Sequence, residues 1–276
     1  AADAAAQARG WPATLDYLRR TLGPLPRCWR GSRARCDNPA MRLALEWLPD
    51  DDAGPPPQLL VLLHGVGGRG AQMRTLADAL RAQFPRAAIL APDAPQPFDG
   101  GGPGRQWFSV QDLDDATRVA RVQEALGPLQ DWLQATQQRL GVGGQPTALC
   151  GFSQGAILAL ELASRADGLA GRVLAFAGRY ARLPDVAPRR TTLHLFHGGD
   201  DAVIPAAHAR AALQHLGVLH GDATLDVAQG VGHELHPALI DSALHRLTHH
   251  IPYRTWRAAL GHADALDDAP RLHDAD

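Results

Sequence analysis

The chain has 276 residues, 45% of them hydrophobic, and a formal net charge of -2. That is apolar material enough for one large core, and the near-balance of charge gives no field suited to nucleic acid or an anionic membrane. No apolar run approaches the roughly 20 residues of a membrane span, and the N-terminal stretch has no signal-peptide hydrophobic region. The three cysteines are too few for a disulfide framework, so a cytoplasmic protein with free thiols is expected. All 27 basic residues are arginine, which reads as compositional bias rather than function.

In chain order, residues 1–40 hold one amphipathic pattern, with Trp11, Leu15, Leu18 and Leu22 on one face and Pro12 at its start. They read as an N-terminal extension, either translated upstream sequence before a start near Met41 or a genuine appendage. Met41–Trp47 alternates apolar and polar residues, as an edge strand does. Leu59–Leu63, Ala87–Ala91, Thr147–Cys150, Val173–Ala177 and Thr192–Phe196 are short and unalternated, the pattern of parallel strands buried on both faces. Cys150, inside one of them, reads as an inert core residue. Helical patterns at Ala71–Ala82, Ala116–Leu140, Gln154–Arg165 and Ala206–Leu216 separate these runs. Strand and helix in alternation predict an α/β protein with a doubly wound, mainly parallel sheet flanked by helices over 41–260. Residues 261–276, with five aspartates and one arginine, read as a solvated acidic tail.

One junction carries chemistry. Gly151-Phe-Ser-Gln-Gly155 lies between the strand-like Gln145–Cys150 and the helix-like Ala156–Ala163. A Gly-x-Ser-x-Gly pentapeptide there resembles the nucleophile elbow of the α/β-hydrolases, a turn so tight that only glycines on either side of the serine let strand and helix meet. Three further segments occur with it. Leu62-Leu-His-Gly-Val-Gly-Gly68 resembles the loop that carries half of an oxyanion hole. His197-Gly-Gly-Asp-Asp-Ala-Val-Ile-Pro205 resembles the segment that presents a catalytic acid. Gly230-Val-Gly-His-Glu-Leu235 resembles the Gly-His turn that presents the base. Together they are similar to the bacterial carboxylesterase/phospholipase family, which also holds the acyl-protein thioesterases. Gly104–Val110 and Phe176–Pro184 narrow the likeness to its YpfH-like esterase branch.

The resemblance implies an α/β-hydrolase fold over about 41–260 and a serine hydrolase acting on carboxylic esters of short to medium acyl chain, with thioesters as a further substrate class. Ser153 is then the nucleophile, His233 its base and Asp201 the orienting acid, in the chain order of this fold. Asp200 competes for the acid role; the family spacing His-Gly-x-x-Asp selects Asp201. The backbone N–H groups of Val66 and Gln154 are the expected oxyanion hole. Trp107 and Phe108 are expected at the substrate, the alternative being that they anchor a glycine-rich loop to the core. His64, beside the oxyanion loop, is read as a residue that holds this loop by hydrogen bonding rather than as a second base. No cofactor, metal or nucleic-acid partner is implied, and no interface is legible. The stretch from Asp99 to Arg105 is too short for a lipase lid.

Two other readings compete. Gly65-Val-Gly-Gly-Arg-Gly70, followed by Asp93 at the end of the next strand, matches the Gly-x-Gly-x-x-Gly dinucleotide fingerprint and its ribose-binding acid. That reading leaves the elbow, the acid loop and the Gly-His turn unexplained. An inactive hydrolase-fold binding module is the second alternative, and an intact strained serine turn argues against it. His233, His236, His245, His249 and His250 cluster in sequence, but not at the His-Glu-x-x-His spacing of a zinc site.

Overall fold

Five-residue apolar runs too short for a helix and too apolar for a solvated face form the middle of a seven-stranded sheet. The computed structural model describes residues 41–49 and 54–260. The N-terminal extension, Cys28, Cys36 and the acidic tail lie outside the described residues.

The chain enters through β1 (Leu43–Trp47), β2 (Leu59–Leu63), a short 3₁₀ turn Gly70–Met73 and α1 (Arg74–Gln83). It continues through β3 (Ala88–Pro92) and a two-stranded ribbon, β4 (Gln96–Pro97) with β5 (Arg105–Gln106). Then come α2 (Asp115–Leu140), β6 (Thr147–Phe152), α3 (Gln154–Arg165), β7 (Arg172–Phe176) and β8 (Thr192–Gly198). The last elements are α4 (Ala207–Val218), β9 (Ala223–Ala228), α5 (Pro237–His249) and α6 (Tyr253–Ala259).

Strand order is β1-β3-β2-β6-β7-β8-β9, with β1 antiparallel at the edge and every other neighbour parallel. Alternate residues of β2 face opposite layers. Leu59, Val61 and Leu63 join the core under α2 and α3, while Leu60 and Leu62 join the core under α1 and α5. Both faces being covered explains why these strands show no polar alternation. Chain direction across the sheet reverses between β2 and β6, since β2 continues to β3 on one side and β6 to β7 on the other. Such a switch point opens a crevice at the carboxyl ends of the strands. The loop after β2 and the turn after β6 both end there.

Candidate active site

The β6–α3 turn is as tight as the pentapeptide requires. A Cβ on Gly151 would sit 2.4 Å from the Gly155 carbonyl carbon, and one on Gly155 would sit 2.2 Å from the Leu63 oxygen. Ser153, between them, holds φ 52° and ψ -116°, a conformation an L-residue adopts only under strain. Its own N–H is tied to the Phe176 oxygen of β7 at 2.9 Å.

Ser153 Oγ lies 2.9 Å from His233 Nε2, and His233 Nδ1 lies 2.7 Å from Asp201 Oδ2. A carboxylate at Nδ1 fixes the proton there, which leaves Nε2 as the acceptor for the serine hydroxyl. Asp201 has no exposed side-chain surface. Its Oδ1 accepts the Val203 and Ile204 N–H groups, both at 2.8 Å. Burial works against its charge, but the His233 ring and the two backbone donors outweigh burial and hold the carboxyl below its ordinary pKa. Asp200 is exposed, with its N–H bonded to the Val231 oxygen. A hydroxyl, an imidazole and a buried carboxylate in series constitute a path for taking a proton from an attacking nucleophile and returning it to a leaving group.

Four groups hold the loop after β2. His64 Nε2 accepts the Ala94 N–H at 2.9 Å while Nδ1 donates to the Gly65 oxygen at 2.7 Å, and burial keeps the ring neutral by lowering its pKa. Asp93 Oδ1 accepts the Gly70 N–H at 2.9 Å, and its Oδ2 pairs with the Arg69 guanidinium. Gly67 and Arg105 form a backbone pairing, Gly67 N to Arg105 O and Arg105 N to Gly68 O, both 2.9 Å. The indole N–H of Trp107 donates to the His64 oxygen at 2.8 Å. Gly68 N–H turns back to the Gly65 oxygen.

This arrangement removes the dinucleotide reading. The N–H groups of Gly67, Gly68 and Gly70 are already engaged within the protein, and Asp93, the supposed ribose acid, is buried and paired. Val66 N–H has no such partner among the described residues, and neither has that of Gln154 at the first position of α3. The side chain of Gln154 is engaged elsewhere, where Oε1 accepts the Trp107 N–H at 2.8 Å and Nε2 donates to the Phe108 oxygen at 2.7 Å.

Trp107 and Phe108, expected either at the substrate or as anchors of the glycine-rich loop, are each 2% exposed and packed in the core under α2. They also line a cavity of about 260 Å³ together with Met41, Pro95 and Arg121, and none of Ser153, Asp201 and His233 lines it. Large aromatic surface goes inward unless something outside competes for it.

Sequence reading assigned no role to His197 or Phe152. His197 Nε2 donates to the Ile204 oxygen at 2.6 Å and lies 3.3 Å from Asp201 Oδ2, so it braces the acid loop. Phe152 packs its ring 5.1 Å from that of His233. The first residue of the acid segment was the available signal for His197; nothing local marks Phe152. The remaining clustered histidines disperse: His236 caps α5, His245 stacks on His249, and His250 bonds Asp222. Among the described residues no group of three or more His, Cys, Asp or Glu is placed to hold a metal ion, and no helix is long and apolar enough to cross a membrane.

Comparison with known proteins agrees with this fold. Residues 51–251 match the family model described as Phospholipase/Carboxylesterase. The chain is 42% identical over 214 residues to the esterase YpfH of Escherichia coli (strain K12), covering 78% of this chain and 92% of that one. It is 26% identical over 167 residues to acyl-protein thioesterase 1 of Saccharomyces cerevisiae, covering 55% of this chain and 73% of that one. Among solved structures, esterase PE8 aligns with a TM-score of 0.65 at 30% identity, over 75% of this chain and 98% of that one. A Bacillus cereus carboxylesterase shares the fold, with a TM-score of 0.61 at 18% identity over 75% and 93% of the two chains.

Proposed function

The chain belongs to the phospholipase/carboxylesterase family and is a carboxylesterase-type hydrolase, and from that premise we propose that it cleaves carboxylic esters through a Ser153–His233–Asp201 triad and a covalent acyl-enzyme. The observation that carries the reading is the unbroken series of hydrogen bonds, 2.9 Å and 2.7 Å, from a strained serine to a buried carboxylate.

Ser153 Oγ attacks the acyl carbon as His233 Nε2 takes its proton. Asp201 keeps the ring in the required tautomer and stabilises the imidazolium that forms. The oxyanion is received by the Val66 and Gln154 N–H groups, contributed by the two sides of the sheet's switch point. His233 then protonates the leaving alcohol or thiol. Water, deprotonated by the same ring, releases the acid and restores Ser153. The aliphatic side chains of Val66 and Val203, 37% and 67% exposed on the oxyanion and acid loops, suit a short or medium acyl chain. The thioesterase name borne by the yeast relative extends the proposal to thioesters.

The test is fluorophosphonate labelling of the wild type and of Ser153→Ala, with the adduct located by peptide mass spectrometry. The expected result is one adduct on Ser153, absent from the variant, and turnover of p-nitrophenyl esters that falls as the chain lengthens. A folded wild type that takes no label sinks the mechanism; preference for long-chain emulsions sinks the substrate class.

A further inference from the structure

A second cluster of charge stands beside the elbow, and the proton-transfer series does not use it. Where β7 ends, Ala177 adopts φ 49°, and its N–H bonds the Phe196 oxygen of β8 at 2.8 Å. That turn lays Gly178 against Ala156, so closely that a Cβ on Gly178 would be 2.4 Å from the Ala156 methyl. Ala156 N–H in turn bonds the Ser153 oxygen. The next residue, Arg179, is thereby delivered to the same edge of the sheet as the nucleophile.

Arg179 meets groups from two helices there. Its guanidinium approaches His208 Nε2 of α4 at 3.4 Å and Asp115 Oδ1 of α2 at 3.8 Å, and its Nε donates to the Tyr180 oxygen at 3.1 Å. Arg118, one turn along α2, is bonded to the same Asp115 oxygen. His208 contributes no charge, since burial and the neighbouring Arg179 lower its pKa. Two guanidiniums thus share one carboxylate and leave one positive charge in excess. The arginine side chains are 17% and 23% exposed, whereas that of Asp115 is 86% exposed. The cations are held in place; the anion between them is the part that solvent, or a ligand, reaches.

We propose that Arg179 and Arg118 form a carboxylate subsite beside Ser153, so that the preferred substrates are esters carrying a free carboxylate, with Asp115 occupying the subsite until substrate arrives. The inference rests on the serine-hydrolase reading above. A guanidinium fork matches a carboxylate geometrically, and an excess of one charge matches a singly charged anion better than a dianionic phosphate. The strained turn at Ala177 then has a purpose, which is to aim Arg179.

The experiment compares two p-nitrophenyl esters of equal chain length, the neutral pentanoate and the monoester of glutaric acid. The quantity read is the ratio of their kcat/KM values. The wild type should favour the glutarate ester, with the preference shrinking as salt is raised. Arg179→Ala should lower the ratio by about 10- to 100-fold, the loss expected for a hydrogen bond to a charged group. Asp115→Asn, on an exposed side chain whose loss does not threaten folding, should raise it by removing the competing anion. Free glutarate should inhibit pentanoate hydrolysis more strongly than inorganic phosphate does. A wild-type ratio at or below unity, an Asp115→Asn ratio that falls, or stronger inhibition by phosphate overturns the carboxylate subsite while leaving the hydrolase intact. Turnover of neither ester, with no fluorophosphonate adduct, overturns both.

Discussion

Asp201 accepts from His233 and two backbone N–H groups and lies 3.3 Å from His197 Nε2, and in the proposed reaction its effect passes through His233. Asp201→Asn keeps the size and offers an amide where the carboxylate stood. His233 then loses the charge that fixes Nδ1–H, and kcat should fall by about 10⁴ with the near-ultraviolet circular dichroism of the fold retained. Choice between Asp200 and Asp201 rested on spacing alone at the sequence level. In the structure Asp201 Oδ1 accepts the Val203 and Ile204 N–H groups, while Asp200 is exposed, which supports the proposed role of Asp201. Trp107 yields a different prediction. Trp107→Phe removes the donor from the buried His64 carbonyl, which should cost about 1–3 kcal/mol in urea unfolding and lower kcat by loosening the oxyanion loop. An unchanged order of preference among acyl chains in that variant would agree with an anchoring role. A reordered one would return Trp107 to the substrate.

Among elements, the β4–β5 ribbon and the loop after β2 depend on each other. Gly104 approaches the loop so closely that a Cβ would be 2.4 Å from the Gly67 oxygen. Gly104→Ala must therefore push the loop, and the Val66 N–H with it, off its position. Loss of one oxyanion donor predicts a fall in kcat of roughly 10²–10³, with KM little altered and stability reduced only modestly. Steady-state kinetics beside thermal unfolding separates this from general destabilisation. Two-residue strands such as β4 and β5 carry no periodicity, which is why they were not legible in the sequence; a glycine-rich loop was the visible feature. Helix starts slipped for a related reason. The expected helix over Ala71–Ala82 begins as a 3₁₀ turn through Met73, with the Gly70 N–H bonded to Asp93, 23 positions away. By contrast α2 was legible along its whole length despite Pro128. Its Asp114 cap, its Gly141 terminator and buried Val122, Leu126, Leu129 and Leu133 outweigh one missing hydrogen bond.

Across the whole molecule, stability should fall as solution is acidified from neutrality. His64, His194 and His197 are buried and held neutral by desolvation, His194 with a pKa lowered from 6.5 to about 2. Below pH 6.5 the unfolded chain takes up protons that the folded chain refuses, so unfolding is favoured as pH falls, by about 1 kcal/mol for each wholly neutral histidine at one unit below that value. Asp93, Asp201 and Asp222 add to this further down. Their folded carboxyls lie below the ordinary 3.8, Asp222 at about 2, so their contribution is present above 3.8 and lost below it. Urea midpoints should therefore drop between pH 7.5 and 5.5. His194→Gln should flatten that dependence; an unchanged slope would mean that His194 is not the group responsible. Asp222 also joins β8 to the C-terminal helix, accepting from the Thr192 hydroxyl, His250 and the Tyr253 N–H, a junction with no local sequence signature. The layers of the fold and the buried strands were readable along the chain, as was the proposed order Ser153, Asp201, His233, because periodicity and tight glycine turns are local consequences of backbone geometry. The inward turn of Trp107, the bracing by His197, the pairing of Asp93 and the meeting of Arg118 with Arg179 were not. Each depends on which side chains distant segments bring within a few ångströms of one another, and that follows from packing the whole sheet rather than from any window of sequence.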